Sequence, residues 1–178
     1  KKTKPSKPII LMGYYQMIFN YGEKKFIQKC KVSGVDGLIV VDLSFPDNKN
    51  FAKLCKKNSI CFVQLIAPTT TVKRMKEIIK ISHEMIYMIS TISTTGSALK
   101  YSIKKIINNY NVIKRIKPSK NVVIGFGITE KTISNLRSAD GLVVGSAICR
   151  EITRSLKHRQ NPVTNVSKLV SKLKNKII

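Results

Sequence analysis

Apolar positions in this chain come in blocks. Short runs of consecutive aliphatic and β-branched residues alternate with longer stretches whose apolar positions fall three and four apart, the mark of buried strands followed by amphipathic helices. Pro8–Tyr15 (PIILMGYY), Gly37–Asp42 (GLIVVD), Ile60–Ile66, Met85–Ile89, Val122–Ile128 and the run from Gly141 read as six strands. Between them the spacing predicts a helix over Glu23–Ser33, with Phe26, Ile27 and Cys30 inward and Gly34 as its left-handed stop. A second starts at Pro46–Asp47 and runs to Lys57, with Phe51, Leu54 and Cys55 inward. A third follows Thr69-Thr70-Thr71, a turn rich in capping hydroxyls, and runs to Ser82. A long one covers Ala98–Ile116, with Leu99, Ile103, Ile106, Ile107 and Ile113 on its apolar stripe and Pro118 beyond its end. Thr129–Leu136, capped by Thr129, and a short Ala147–Ile152 come next, then a loop around 157–162 and a terminal helix over Val163–Lys176.

Six βα units in strict alternation specify an α/β protein with a parallel sheet. They fit an open doubly wound sheet or about six of the eight units of a (β/α)8 TIM barrel. No GxGxxG or GxxxxGK[ST] follows the first strand, which removes support from the nucleotide-binding open sheets. The chain is 178 residues long and begins with Lys1, as a processed chain or a piece of a longer one would. The expectation is a single, partial TIM-barrel domain over residues 1–178.

The candidate chemistry lies in the last third. Val122–Ile128 (VVIGFGI) and Gly141–Ile148 (GLVVGSAI) are two strands that end in glycine and hand over to a helix. Two such tips in consecutive units point to a phosphate site, because the loops after the last two barrel strands and a helix N-terminus present backbone N–H groups to an anion. Gly125, Gly127, Gly145 and Ser146 are its candidates.

Composition changes the picture in two places. The net charge of +24 raises nucleic-acid binding, but Lys24-Lys25, Lys56-Lys57, Lys73-Arg74 and Lys104-Lys105 spread over the outer faces of nearly every helix. They form no single stripe and no aromatic residues interleave them, so a specific nucleic-acid site is not expected. Cys30, Cys55, Cys61 and Cys149 show no CxxC spacing, and His83 and His158 lie far from them in sequence. No metal site is expected, and the thiols read as buried and reduced in a cytoplasmic protein. His83 and His158 read as surface imidazoles. Ser90 and Ser93 lack the strand-to-helix elbow of a nucleophilic serine. No apolar run approaches the ~20 residues of a membrane span, and no signal-peptide layout is present.

Several segments also resemble a known family. GVDGLIVVDL at Gly34–Leu43, LIAPT at Leu65–Thr69, Tyr87-Met88-Ile89-Ser90 followed by Thr94-Thr95-Gly96, IGFGI at Ile124–Ile128 and ADG at Ala139–Gly141 with GSAI at Gly145–Ile148 resemble the tryptophan synthase alpha chain. Lys7–Gly22 is similar to its P-hydrophobic-LMxY…FxxG pattern. The ordered set covers nearly the whole chain.

The resemblance implies an eight-stranded barrel that cleaves indole-3-glycerol phosphate, in a retro-aldol step, to indole and glyceraldehyde 3-phosphate. It implies a tryptophan synthase beta chain as partner and no cofactor on the alpha chain itself. Carried over by position, the phosphate falls on Gly96, Gly127, Gly145 and Ser146. Tyr87 and Phe126 line the substrate cavity, Met12, Tyr14 and Leu65 its indole end, and Thr95 belongs to the closing loop. Asp42 becomes the loop aspartate of the VDL motif, a structural or loop-coupling residue. The family's catalytic Glu and Asp, in an ELGxPFSDP-like stretch, have no counterpart here, so they are expected in a preceding segment, and the chain alone is expected to be inactive. The alternatives are a remnant that retains phosphate or beta-chain binding, and a basic nucleic-acid-binding protein. Glu130 and Glu151 read as helix-surface groups. Val41 and Ser44 stand where the family usually has proline, and Ser93 where it has glycine.

Overall fold

A computed structural model describes residues 6–90, 102–125, 127–130 and 132–177. In order, the elements are β1 (Ile10–Gly13), α1 (Tyr15–Tyr21), α2 (Glu23–Val32), β2 (Gly37–Val40), α3 (Lys49–Lys57), β3 (Cys61–Phe62), β4 (Gln64–Ile66), α4 (Val72–Ile81), β5 (Met85–Ile89) and α5 (Ile103–Ile116). There follow β6 (Asn121–Gly125), a 3-10 helix (Ile133–Leu136), β7 (Gly141–Val143), α6 (Ser146–Lys157) and α7 (Pro162–Lys174). One sheet has the order β1-β2-β3 and the other β4-β5-β6-β7. The pairs β1/β2, β2/β3 and β6/β7 are parallel. Within each sheet strand order follows chain order, without the reversal that defines a doubly wound sheet, as it does in a (β/α) barrel.

The residues group into two compact units, Lys1–Leu65 with Thr71–Ile86 and Ile66–Thr70 with Tyr87–Ile178. In the first, all four residues of β2 are buried, as a parallel strand covered on both faces requires. α3 buries Phe51, Ala52 and Cys55, and Phe51 meets Phe62 edge-to-face at 5.7 Å. Gly34 follows α2 at φ 76°, the left-handed position in which a Cβ is costly. α4 is capped by Thr71, whose hydroxyl accepts from Arg74 N at 3.3 Å, and buries Met75, Ile78 and Ile79.

In the second unit, α5 is capped by Ser102 and buries Ile106, Asn109, Tyr110 and Ile113, at i, i+3, i+4 and i+7. Asp140 ties this helix to β6: it accepts from Val122 N at 2.8 Å, from Lys114 Nζ at 3.0 Å and from Tyr110 Oη at 3.2 Å. Burial works against its charge, but the Val122 N–H, the Lys114 ammonium and the Tyr110 hydroxyl outweigh it and hold the carboxyl below the usual range. Asn161 caps α7, accepting from Val163 N and Thr164 N, with Pro162 in the first turn. The buried Ser155 donates to Glu151 O at 2.8 Å and accepts from Asn165 Nδ2 at 3.0 Å, fixing the corner between α6 and α7.

The structure corrects several sequence expectations. The first strand stops at Gly13, and Tyr15–Tyr21 is helix, with Ile18 buried, tertiary context overriding the β preference of its three aromatic residues. The strand expected over Ile60–Ile66 divides at Val63 into β3 and β4, which belong to different sheets. α3 begins at Lys49, not at Pro46–Asp47. The helix expected over Thr129–Leu136 is only the 3-10 segment, and Thr129 does not cap it: the Thr129 N–H instead donates to Thr132 Oγ1 at 3.0 Å. α6 extends to Lys157, well past Ile152. The expected stretch Ala98–Ile116 is helical from Ile103, and 98–101 lie outside the described residues. Cys30 and Cys55 are buried free thiols, whereas Cys61 is half-buried and Cys149 exposed. His83 is not a free surface imidazole: its Nδ1 accepts from Phe62 N at 2.9 Å.

Candidate phosphate-binding site

The two glycine tips lie side by side. β6 and β7 pair in parallel, with Gly125 opposite Val143. Gly127 and Gly145 each come two residues beyond that pair in the chain, past the C-terminal ends of neighbouring strands. β5 ends beside them, because Ser90 N and Ser90 Oγ both donate to Gly125 O, at 3.0 and 2.7 Å. That bond gives Ser90 a structural role in place of a nucleophilic one.

Two local features shape the tips. Gly127 has φ 67°, a conformation that suits glycine. Its carbonyl accepts from Thr132 Oγ1 at 3.2 Å, which anchors the turn. Gly145 is the N-cap of α6, and its carbonyl accepts the first helical bonds, from Ile148 N at 2.9 Å and Cys149 N at 3.2 Å. Ser146 and Ala147 precede those donors, in the turn where backbone N–H groups have no intrahelical acceptor. No acidic residue lies in the first turn of α6, the positive end of the helix dipole, while Glu130, paired with Lys172 and Lys176, and Glu151 line a pocket with Ala147 of that turn.

Tyr87 supports the tips from β5. It is 5% exposed, and burial pushes its phenol up to about 12, so it stays protonated near neutrality. A Cβ on Gly125 would overlap the Tyr87 hydroxyl and ring. Gly125 is therefore a packing glycine, and the ring fills the space beside the strand end.

The remaining candidates divide. Met12, Tyr14, Asp42 and Leu65 belong to the first unit. Met12 and Tyr14 are exposed, at 48% and 62%, and Leu65 is half-buried. Asp42 lies two residues beyond β2, and its Oδ1 accepts from Tyr15 N at 2.6 Å, joining the tips of β1 and β2. Thr95, Gly96 and Phe126 lie outside the described residues.

None of the described carboxylates is placed as a free acid–base pair at the tips. Glu130 sits in a turn and pairs with Lys172 at 2.7 Å. Glu151 is a helix residue, as expected, its side chain 16% exposed and paired with the exposed Arg154 at 2.7 Å. Among the described residues no group of three or more His, Cys, Asp or Glu could hold a metal ion. No helix among them is long and apolar enough to cross a membrane.

A family model described as tryptophan synthase alpha chain matches residues 1–178. The chain belongs to that family. A tryptophan synthase alpha chain from Pelagibacter ubique (strain HTCC1062) is 63% identical over 99% of this chain and 67% of its own length. One from Karelsulcia muelleri is 40% identical over 83% of this chain and 58% of its own. The crystal structure of the alpha chain from Legionella pneumophila superposes with a TM-score of 0.83, at 28% identity, covering 99% of this chain and 64% of that one. A tryptophan synthase complex from Pyrococcus furiosus gives 0.79 at 31% identity, over 96% of this chain and 67% of that one. The chain thus spans about two thirds or less of the length of these relatives. Membership fixes the fold as that of the family's TIM barrel. The barrel order and the glycine tips were legible in the sequence. The Gly125–Tyr87 contact and the Asp42–Tyr15 bond were not, because neither spacing nor composition marks them.

Proposed function

We propose that this chain acts as the phosphate-binding part of a tryptophan synthase alpha subunit, a cytoplasmic lyase of tryptophan biosynthesis. In this reading its substrate is indole-3-glycerol phosphate, cleaved to indole and glyceraldehyde 3-phosphate, and its partner is a tryptophan synthase beta chain. The carrying observation is the pair of glycine tips on the neighbouring strands β6 and β7, with Gly145 capping α6, whose own first turn has no acidic residue, in a chain of this family. Gly127, Gly145 and Ser146 hold the phosphate, joined by Gly96. Tyr87 and Phe126 line the cavity, with Met12, Tyr14 and Leu65 at its indole end and Thr95 on the closing loop. Asp42 lies on the turn that meets the beta chain.

The chemistry divides the labour. Breaking the carbon–carbon bond to indole needs an acid to protonate the ring carbon and a base to take the glycerol hydroxyl proton, each worth roughly 10²–10⁴-fold. The phosphate cradle supplies binding and orientation. Turnover needs carboxylates that the described glutamates and aspartates do not provide, so the chain alone binds without turning over.

The test is calorimetric titration of the chain with indole-3-glycerol phosphate or a stable indole-phosphate analogue at moderate salt, against Gly127→Asp with Ser146→Ala. Saturable binding that the double variant loses supports the cradle. Equal binding by both proteins assigns the affinity to the +24 charge and removes the proposal.

A further inference from the structure

Within the first unit, the chain turns from β2 to α3 through residues 41–48. A cavity of about 30 Å³ lies at this turn, with Val41, Ser44, Phe45, Asn48, Val63 and Gln64 among its lining residues. Asn48 and Gln64 are each 2% exposed. Asn48 Nδ2 donates to Gln64 Oε1 at 2.8 Å and to Leu43 O at 3.2 Å. The other ends of these amides, Asn48 Oδ1 and Gln64 Nε2, have no hydrogen-bonding partner among the described residues.

Exchanging the O and N atoms of the amides does not remove the problem. Turning Gln64 alone sets its NH₂ against the NH₂ of Asn48. Turning Asn48 alone sets oxygen against oxygen and abandons Leu43 O. Turning both restores the amide–amide bond but points Asn48 Oδ1 at Leu43 O, and again leaves one donor and one acceptor unmet. In the two arrangements that keep the amide–amide bond the missing partner must both accept and donate. A simple cation would face an NH₂ and a simple anion a carbonyl, so neither fits. The space suits one water, which needs ~10–15 Å³ of such volume and at least two polar partners.

We propose that Asn48 and Gln64 bind one buried water, which accepts from Gln64 Nε2 and donates to Asn48 Oδ1. The hydrated pair latches the turn that carries Asp42. Asn48 grips Leu43 O, the neighbour of Asp42, and Asp42 in turn takes the Tyr15 N–H. Asn48 and Gln64 are thus positioning residues for the tips of β1 and β2. This inference does not depend on the phosphate reading.

The test is water–protein cross-relaxation on the ¹⁵N-labelled chain. The Gln64 side-chain amide protons are expected to show water peaks whose laboratory-frame and rotating-frame signs are opposite, the signature of a long-lived water. The peaks persist in Ser44→Ala, which excludes relay through that hydroxyl, and vanish in Asn48→Leu. Hydrogen exchange at Tyr15 N–H rises about tenfold in Asn48→Leu and in Gln64→Leu, while the β2 amides stay within about twofold. No water peak at Gln64 in the unaltered chain overturns the site, and that measurement needs no variant to fold. Peaks that survive Asn48→Leu, or vanish in Ser44→Ala, also overturn it. Unchanged exchange at Tyr15, or an equal rise across β2, overturns the latch.

Discussion

Gly125 and Asp140 are the residues on which the second unit's strand ends turn. At Gly125 even a methyl group collides with the Tyr87 hydroxyl and ring, and Tyr87 is held between buried strand neighbours. Gly125→Ala is expected to cost about 1–3 kcal/mol through overpacking, read as a lower urea midpoint at unchanged slope. Asp140 carries the pH dependence. Its carboxyl sits below the usual range in the folded chain, so its stabilisation is complete above the unfolded value near 4 and is lost as pH falls through the lower folded value. Asp140→Asn is expected to cost about 1–3 kcal/mol between pH 5 and 7. The gap between variant and parent closes below about pH 4, as urea titrations across pH would record. At this scale the sequence was readable where backbone geometry dictates the residue, as at Gly34 and Gly127. It was silent where a side chain meets a partner far along the chain. Gln64 inside an otherwise apolar strand was the one visible signal of the buried amide pair, and the histidine at 83 carried no sign of its bond to Phe62 N.

At the scale of elements, helices with a clear apolar stripe and a cap were legible. α2, α3 and α5 bury residues that the spacing marks, Ile27 and Cys30, Phe51 and Cys55, and Ile106 and Ile113. α1 is not legible because Tyr15–Tyr21 carries three aromatic residues, and Ile18 is the one residue it buries. The turn before the 3-10 helix was misread because Thr132, not Thr129, organises it, taking Thr129 N–H and giving its own proton to Gly127 O. α7 offers the sharpest element-level prediction. It has two N-terminal N–H groups on Asn161 Oδ1, at 2.9 and 3.3 Å, and much of its surface is exposed. Asn161→Ala is expected to cost about 1 kcal/mol, and Asn161→Asp to cost little or to stabilise, since a carboxylate also caps and suits the helix dipole. Thermal melts followed by far-UV circular dichroism compare the three proteins, and no loss in Asn161→Ala would remove the cap from the account.

For the whole molecule, charge is the dominant unbalanced quantity. The chain has 33 Lys and Arg against nine Asp and Glu, and the ion pairs described involve only Asp140, Glu130 and Glu151. Most of the positive charge faces solvent on helix surfaces, where like-charge repulsion favours expansion. Salt shortens that repulsion, from a Debye length of about 30 Å at 0.01 M to about 10 Å at 0.1 M. The few surface ion pairs that salt would weaken are worth only about 0–1 kcal/mol each, so they do not offset the gain. Stability is therefore expected to rise with sodium chloride between 0.02 and 0.3 M, by roughly 1–2 kcal/mol in urea midpoints. Phosphate should stabilise more than chloride at equal ionic strength if the cradle of Gly127, Gly145 and Ser146 forms, because an anion bound only by the folded state adds its own linkage. The Gly127→Asp with Ser146→Ala protein separates the two effects. It should keep the chloride dependence and lose the phosphate excess, whereas an excess retained in that protein would place the anion on the lysine-covered helices instead.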